Sequence, residues 1–542
     1  MNLRSLLCAA LLMALCLYGV VRPAAAQAQV RVWLGPNAVT NLDPVSLAKE
    51  DYAARDLAEN LFVGLVRYSR GTFEPLLAKR WEVSADGLTW TFQLRTDIQW
   101  MRLNATTGKP EAVRPVTPGD FLYGIRRACD QAAPNPAGPA IFVIAGCATI
   151  NNANPVQVND IFITRNLKIE TAGADKLTIT FAYPTSATLA LLALPEFRPI
   201  AREAASKNPT GWATSAGTLY TNGPFVLAAW NGNEFTLARN PNWPLPYEGN
   251  ITAITALVGP APDRLDAARG NAPVASFAAP PGDVPEYFVK SISALGFSLE
   301  RPGVSNDNLR RAFAFAIDRT SLAPGTLPSG STFYNPAGVA DPLGFDANAA
   351  RAALAGSNIP GCTRLPEKFD LAYPPELEAV AGTLLAAWNK TLGCNVTSFN
   401  LRKLDANKLL NIAHGSVNVD ENQAGAPRPH LWLTTFAPDY LDPQAWIADA
   451  LHCQYGFLRT NYPCGPADAA LDQAAAEQDP AKREALFAQA QAALFGANGT
   501  FPVVPLFYTL VPVMHTTALD PALGTERGRG VAPFRFDLWK LR

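Results

Sequence analysis

Two hydrophobic rhythms alternate along all 542 residues, and this alternation limits the fold more than any other feature. In "RWEVSADGLTWTFQLR" the apolar residues Leu88, Trp90, Phe92 and Leu94 come every second position behind Asp86-Gly87. That is the period of a strand with one buried face, entered through a tight turn. "KLTITFAY" repeats the rhythm through Leu177, Ile179 and Phe181, and "PFVLAAWNGNEFTLARNP" reads as a hairpin turning at Asn231-Gly232. Other stretches keep helical time. "SNDNLRRAFAFAIDR" places Leu309, Ala312, Phe313, Ala316 and Ile317 on one stripe, with Asn306 or Asp307 able to cap its start. "DPAKREALFAQAQAALF" has Asp479 as cap, Pro480 in the first turn, and Leu486, Phe487, Ala490, Ala493 and Leu494 as its inner face. Strands and helices are interleaved from end to end, so the class is α/β or α+β.

A chain of this length exceeds one ordinary hydrophobic core and predicts two or three lobes. Apolar residues make up 48% of it, enough to fill several cores. The formal net charge of −1 and the lack of long charge runs argue against nucleic acid as a partner.

The first residues read as an address. Arg4 precedes an apolar run from Leu6 to Val21, and "RPAAAQAQ" offers cleavage sites after Ala26 or Ala28. Residues 1–26 are therefore expected to be a secretory signal peptide. Cys16 follows Leu15 and lacks the small preceding residue of a lipid-acceptor site. A periplasmic or other extracytoplasmic location follows from this reading. "FPVVPLFYTLVPVM" is apolar but too short, and too interrupted by proline, to span a membrane.

Cleavage leaves six cysteines, an even number in an oxidising compartment. They fall into neighbouring couples, Cys129 with Cys147, Cys362 with Cys394 and Cys453 with Cys464, and these are the expected disulfides among fifteen possible connectivities. There are no CxxC pairs and the four histidines are scattered, so no metal site is expected. There is likewise no GxSxG, HExxH, Walker A loop or GxGxxG. His414, His430, His452 and His515 read first as structural or surface histidines. Asp439 and Asp442 could serve as an acid/base pair on a sugar, but such spacing in a proline-rich turn is common. No enzyme and no cofactor is expected; a secreted hydrolase is the remote alternative.

Several segments, in order, resemble one family, the extracytoplasmic solute-binding proteins of peptide/nickel ABC transporters, known as family 5. They are "NLDPVS", "AENLFVGLVRY", "EPLLAKRWEVSADGLTWTFQLR", "VTPGDFLYGIRRA", "TNGPFVLAAWNGNEFTLARNPNW", "NDNLRRAFAFAIDR" and "LWLTTFAPDYLDP". The resemblance implies a clamp of the type II periplasmic-binding-protein kind, with two lobes, an accessory third domain and a ligand cleft between lobes. By analogy, 27–66, 185–290 and 505–542 form a discontinuous first lobe, 67–184 the accessory lobe and 291–504 the opposite lobe. Closure on a ligand would be a population shift toward the state with greater affinity.

The resemblance also implies a site. In peptide binders of the family the aspartate of the "DY" motif receives the ligand's α-amino group through a charge-assisted hydrogen bond. Asp439 holds that position. The preceding strand would pair with the ligand main chain, with Thr435 and Ala437 at the right parity. Asn222 would bond the ligand backbone from the other lobe. Trp432, Phe436, Tyr440 and Phe297 are candidate pocket walls. Arg428 and His430 are the basic residues of the region that often holds the ligand's carboxylate. The implied function is a monomeric receptor that captures oligopeptides and delivers them to a membrane permease. The alternative is a receptor on the same fold for a carbohydrate or other non-peptide solute. The loop between Cys453 and Cys464, just after the binding motif, is a candidate cover for the pocket.

Overall fold

The computed structural model describes residues 29–47, 51–69, 72–130, 138–260, 286–322, 327–328, 344–359, 362, 365, 367–405, 408–409, 428–438, 440, 442–454, 456–458, 460–513 and 534–541. The expected signal peptide, His414, His515 and Asp439 lie outside them. Among the described residues five sheets are formed, and the buried side chains gather into two cores.

The first core draws on residues from Val30 to Val258 and again on Phe534, Phe536 and Trp539. Its central sheet sets Gln29–Gly35 parallel to Ala253–Val258, followed by Glu234–Arg239 and Phe225–Asn231 antiparallel. A second four-stranded sheet, in the order Ala78–Val83, Thr89–Leu94, Lys176–Thr180 and Ile169–Ala172, shares the same core. The alternation read from the sequence holds for Phe92, Leu94, Leu177, Ile179 and Phe181, which are buried, whereas Leu88 and Trp90 are only half-buried; Gly87 takes φ +73° in the turn. The other hairpin turns one residue later than expected. Asn231 pairs with Glu234, so Gly232 and Asn233 form the loop, and Gly232 has a positive φ. Glycine in the first loop position suits the twist of a two-residue hairpin, so Asn231 stays in the strand.

The second core spans Ile292 to Tyr508 around a six-stranded sheet. Its strands run Leu327–Pro328, Val503–Val513, Glu286–Phe297, Leu431–Phe436, Phe369–Tyr373 and Phe399–Lys403. The helix Asp307–Phe315 is capped by Asn306, whose side chain accepts from the amides of Asn308 and Leu309. It stops at Phe315, so Ala316 and Ile317 lie beyond the helix, though both are buried. Helix Pro480–Phe495 is capped by Asp479 and buries Phe487, Ala490 and Leu494, while Leu486 and Ala493 are partly covered.

The long strands Glu286–Phe297 and Val503–Val513 pair over their whole length in the second sheet. Val503–Val513 is thus a single strand of the second sheet, running on past residue 505. A strand cannot leave its sheet midway without leaving backbone groups unpaired. The chain then returns to the first core. Asp56 and Asn60, both buried on helix Tyr52–Leu61, hold the tail there: Phe534 N–H donates to Asp56 at 2.6 Å and Phe536 N–H to Asn60 Oδ1 at 2.8 Å. Asn60 Nδ2 donates back to the Phe534 carbonyl at 2.7 Å. Among the described residues no helix is long and apolar enough to cross a membrane. The disulfides join Cys129 to Cys147, Cys362 to Cys394 and Cys453 to Cys464.

Candidate functional site

The strand Leu431–Phe436 is the natural starting point. On one side it pairs with Ile292–Phe297 residue for residue. On the other it meets only Leu371 and Ala372, opposite Leu431 and Trp432. Among the described residues, Leu433–Phe436 has no strand along that second edge. Thr435 is exposed there, its hydroxyl 3.1 Å from Ser293 Oγ, and Ala437 is half-buried. A strand edge without a neighbouring strand is a template for an added one.

The turn that follows crosses from one core to the other. Tyr440 and Ala445 pack in the first core, although the strand before them belongs to the second. Tyr440 donates its hydroxyl to Asp449 at 2.6 Å; burial, reinforced by that carboxylate, raises its pKa well above the usual phenol value. Asp442 is architectural. It caps the short helix Pro443–Trp446 through Gln444 N–H and takes both guanidinium nitrogens of Arg483, at 2.8 and 2.6 Å. From the first core, Thr185 reaches Gln444 at 3.3 Å, and Ser186 donates its N–H to the Ala475 carbonyl at 2.8 Å. These contacts close the two lobes on each other beside the open strand edge. Nothing in the sequence signals them, since the partners are more than 250 positions apart.

Several residues expected at the ligand are placed elsewhere. Trp432 and Phe297 are fully buried in the second core, so neither lines a cleft in this conformation. A Cβ at Gly296 would overlap the Trp432 indole, so the ring lies flat across the neighbouring strand. Asn222 is also fully buried. Its carboxamide accepts from Val63 N–H at 3.0 Å and donates to the Val63 carbonyl at 3.2 Å, while its own N–H goes to Leu61. The family motif suggested ligand contact; here the amide completes a backbone junction. Gly223 sits so close to Asn60 and Leu61 that a side chain has no room, and Asn240 donates to the Gly223 carbonyl at 2.9 Å. The segments "AENLFVGLV", "TNGPF" and "ARNPNW" thus grip one another.

His430 is buried as well, in keeping with its first reading as structural. Asp370 N–H donates to its Nδ1 at 3.1 Å, so Nε2 carries the proton and faces Glu367 at 3.0 Å. Phe369 stacks on the ring, and Arg301 lies 3.2–3.3 Å from both ring nitrogens. Burial, helped by the Arg301 charge, lowers the imidazole pKa. Arg428 is buried beside Glu300, at 3.5 Å, and burial lowers its pKa too. These basic side chains serve the foot of the strand. Phe436, a further candidate pocket wall, is likewise buried in the second core, with its ring 6.0 Å from Phe457. Phe457 was not anticipated individually, though it lies in the loop closed by Cys453 and Cys464.

His452, Cys453 and Asp468 offer ligand atoms within 4.8 Å of one another. The Cys453 sulfur is engaged in its disulfide, and Asp468 accepts from Cys453 N–H, Tyr462 hydroxyl and Gly465 N–H. The group is a clasp at the base of the loop and does not fit a metal.

With this architecture in view, comparison with known proteins is decisive. Residues 72–457 match the model of the bacterial extracellular solute-binding proteins, family 5. The chain belongs to this family. A probable deoxycholate-binding periplasmic protein of Escherichia coli is 26% identical over 504 residues, covering 86% of this chain and 85% of that one. A dipeptide-binding protein of Bacillus subtilis is 24% identical over 484 residues, covering 83% and 81%. The unliganded open form of a periplasmic murein tripeptide-binding protein superposes with a TM-score of 0.73 at 18% identity, over 95% of this chain and 98% of that one. An oligopeptide-binding protein of Haemophilus influenzae in complex with the peptide RPPGFSPFR superposes at 0.63, with 19% identity and coverage of 95% and 99%. The fold is therefore the type II-like clamp of this family, and the family and the relatives are binding proteins.

Proposed function

We propose that this family 5 protein captures oligopeptides between its lobes and passes them to the permease of an ABC importer. The second edge of Leu433–Thr435, along which no strand runs among the described residues, carries the reading. An extended peptide satisfies that edge with main-chain hydrogen bonds, which gives affinity without dependence on side-chain sequence. Asp439 lies outside the described residues; by the family resemblance it receives the peptide's α-ammonium group at the end of the same strand. Thr435, Phe436 and Ala437 border the bound main chain. Peptide-binding relatives and the peptide complex of a structural neighbour support this choice of solute.

The proposed lobes follow the two cores: one from the mature N-terminus to about residue 258 plus the tail from 534, the other from 286 to 513. Residues 67–184 form an accessory part of the first. The chain acts as a monomer outside the cytoplasm after removal of residues 1–26, binds reversibly, and turns nothing over. A second reading is favoured by one observation, the similarity to a probable deoxycholate-binding protein: an amphipathic non-peptide solute could occupy the same cleft. Mass spectrometry of small molecules released by denaturing the purified protein separates the two. Peptides of mixed sequence and narrow length range are expected. A single non-peptide compound would overturn the peptide reading and with it the role of Asp439.

A further inference from the structure

His430 ties three strands together at the point where two of them part. Its carbonyl accepts Ser298 N–H at 3.1 Å, just past the strand Glu286–Phe297. Its Nδ1 accepts Asp370 N–H at 3.1 Å, from the strand Phe369–Tyr373. The next two residues, Leu431 and Trp432, pair with Leu371 and Ala372, and the registered pairing of these two strands ends there. A side-chain nitrogen thus adds a link to a short join. The Asp370 carboxylate carries the join outward, accepting from Asn400 Nδ2 at 3.3 Å and Arg402 Nε at 3.2 Å on the strand Phe399–Lys403.

The link exists only while the imidazole is neutral. A neutral ring accepts through one nitrogen; the imidazolium carries a hydrogen on both and accepts through neither. Protonation of Nδ1 sets two N–H donors against each other, at a residue 0% exposed to solvent. The charged groups that face the ring come from two segments. Arg301, beyond Glu286–Phe297, lies 3.2–3.3 Å from both ring nitrogens and opposes a second positive charge. Glu367, 3.0 Å from Nε2, and Asp370, with a carboxylate oxygen 3.8 Å from Nδ1, favour it. Burial first and Arg301 next decide the balance and hold the pKa below the ordinary histidine value. The link is therefore intact at neutral pH and is lost at more acid pH.

We propose that His430 is an acid-operated joint: taking up a proton detaches Asp370 N–H, loosens Phe369–Tyr373 from Leu431–Phe436, and weakens solute binding further along that second strand. The consequence for the solute rests on the peptide reading; the joint itself does not.

Hydrogen–deuterium exchange at single-amide resolution tests the joint in ligand-free protein, from about pH 7 to about pH 4.5, corrected for the intrinsic pH dependence of exchange. Protection of the Asp370 amide in the wild type should fall about fivefold or more, the worth of one hydrogen bond. His430→Asn, whose Oδ1 accepts a hydrogen bond and does not titrate, should keep that protection constant. His430→Phe, which keeps a ring beside Phe369 and accepts nothing, should lack it already at neutral pH. Thermal unfolding shows whether each variant is folded, and the wild-type titration decides alone where one is not. Affinity for an equimolar pool of random tri- to pentapeptides should fall by about fivefold over the same range in the wild type, and by less than about twofold in His430→Asn. Wild-type Asp370 protection that does not change with pH overturns the joint. Loosening without a matching loss of peptide affinity overturns its effect on binding. Failure of the wild type to bind any peptide at neutral pH overturns the receptor reading and acid release with it, while the exchange result still judges the joint.

Discussion

The junction around Asn222 and the strand edge at Leu433–Phe436 both come from family motifs, yet they are opposites. At the junction, the Asn222 carboxamide meets both polar groups of Val63, Asn60 holds the returning tail, and Asn240 grips Gly223. Each of these amides has its protein partner. At the edge, the backbone pairs with a strand on one side and, among the described residues, meets no strand along Leu433–Thr435 on the other. Buried polar groups cost free energy unless hydrogen-bonded, so a closed network marks architecture, and an open row of backbone groups marks a place for a partner. A motif shared by a family can thus encode either one.

The comparison can be broken most forcefully at Asp439. Asp439→Ala should weaken peptide affinity by roughly thirtyfold to a thousandfold, the range for removing one partner of an enclosed charge pair. Its melting temperature without ligand should stay close to wild type. Loss of folding without selective loss of binding would move Asp439 to the architectural class.

Asn222→Ala should do the reverse. It leaves the buried Val63 N–H and carbonyl without their partner, at a cost of about 2–4 kcal/mol in denaturant unfolding. Peptide affinity of the folded fraction should be unchanged; a large affinity loss with normal stability would return Asn222 to the ligand. Smaller still is the expected effect of N-methylating one amide of a bound peptide. Each methyl that removes a strand-pairing hydrogen bond should weaken binding by about two- to tenfold, while methyls at amides pointing away should have little effect. A profile without this alternation would argue against strand addition.

The smallest effect concerns pH. The junction is built from amides, which do not titrate, whereas the foot of the open strand contains His430. Its pKa is lowered in the folded protein, mainly by burial and then by Arg301, with Glu367 and Asp370 acting the other way. The unfolded chain binds the proton more readily. Stability from this group is therefore full above the ordinary histidine pKa of about 6.5 and declines as pH falls from there toward the folded value. Its slope cannot exceed about 1.4 kcal/mol per pH unit. His430→Gln should flatten the part of the pH–stability curve below pH 6.5, measured by chemical denaturation. An unchanged curve would show that other groups set the acid sensitivity.

Much of the architecture was legible beforehand. Period-two runs marked the hairpins, and caps marked helix starts at Asn306 and Asp479. Chain order and cysteine proximity foreshadowed the neighbouring disulfides. These signals are local, because side-chain direction repeats every two residues in a strand and every 3.6 in a helix. The exact turn at Gly232-Asn233 depended on which residue takes positive φ, and the end of the helix at Phe315 on tertiary packing.

The site was less legible. The sequence located the strand and its motif, but it could not distinguish a side chain facing a cleft from one facing a core. Trp432, Phe436, Phe297 and Asn222 are all buried, because neither a motif nor a strand face says what covers it. By itself the sequence determined the class, the family and the rhythm of the elements. Only tertiary structure decided that the chain returns at residue 534 to Asp56 and Asn60, that Thr185 meets Gln444, and that Phe457 stands beside Phe436. Those contacts join residues distant along the chain, and no local propensity specifies them; they arise when two cores close and their remaining polar and aromatic groups find partners.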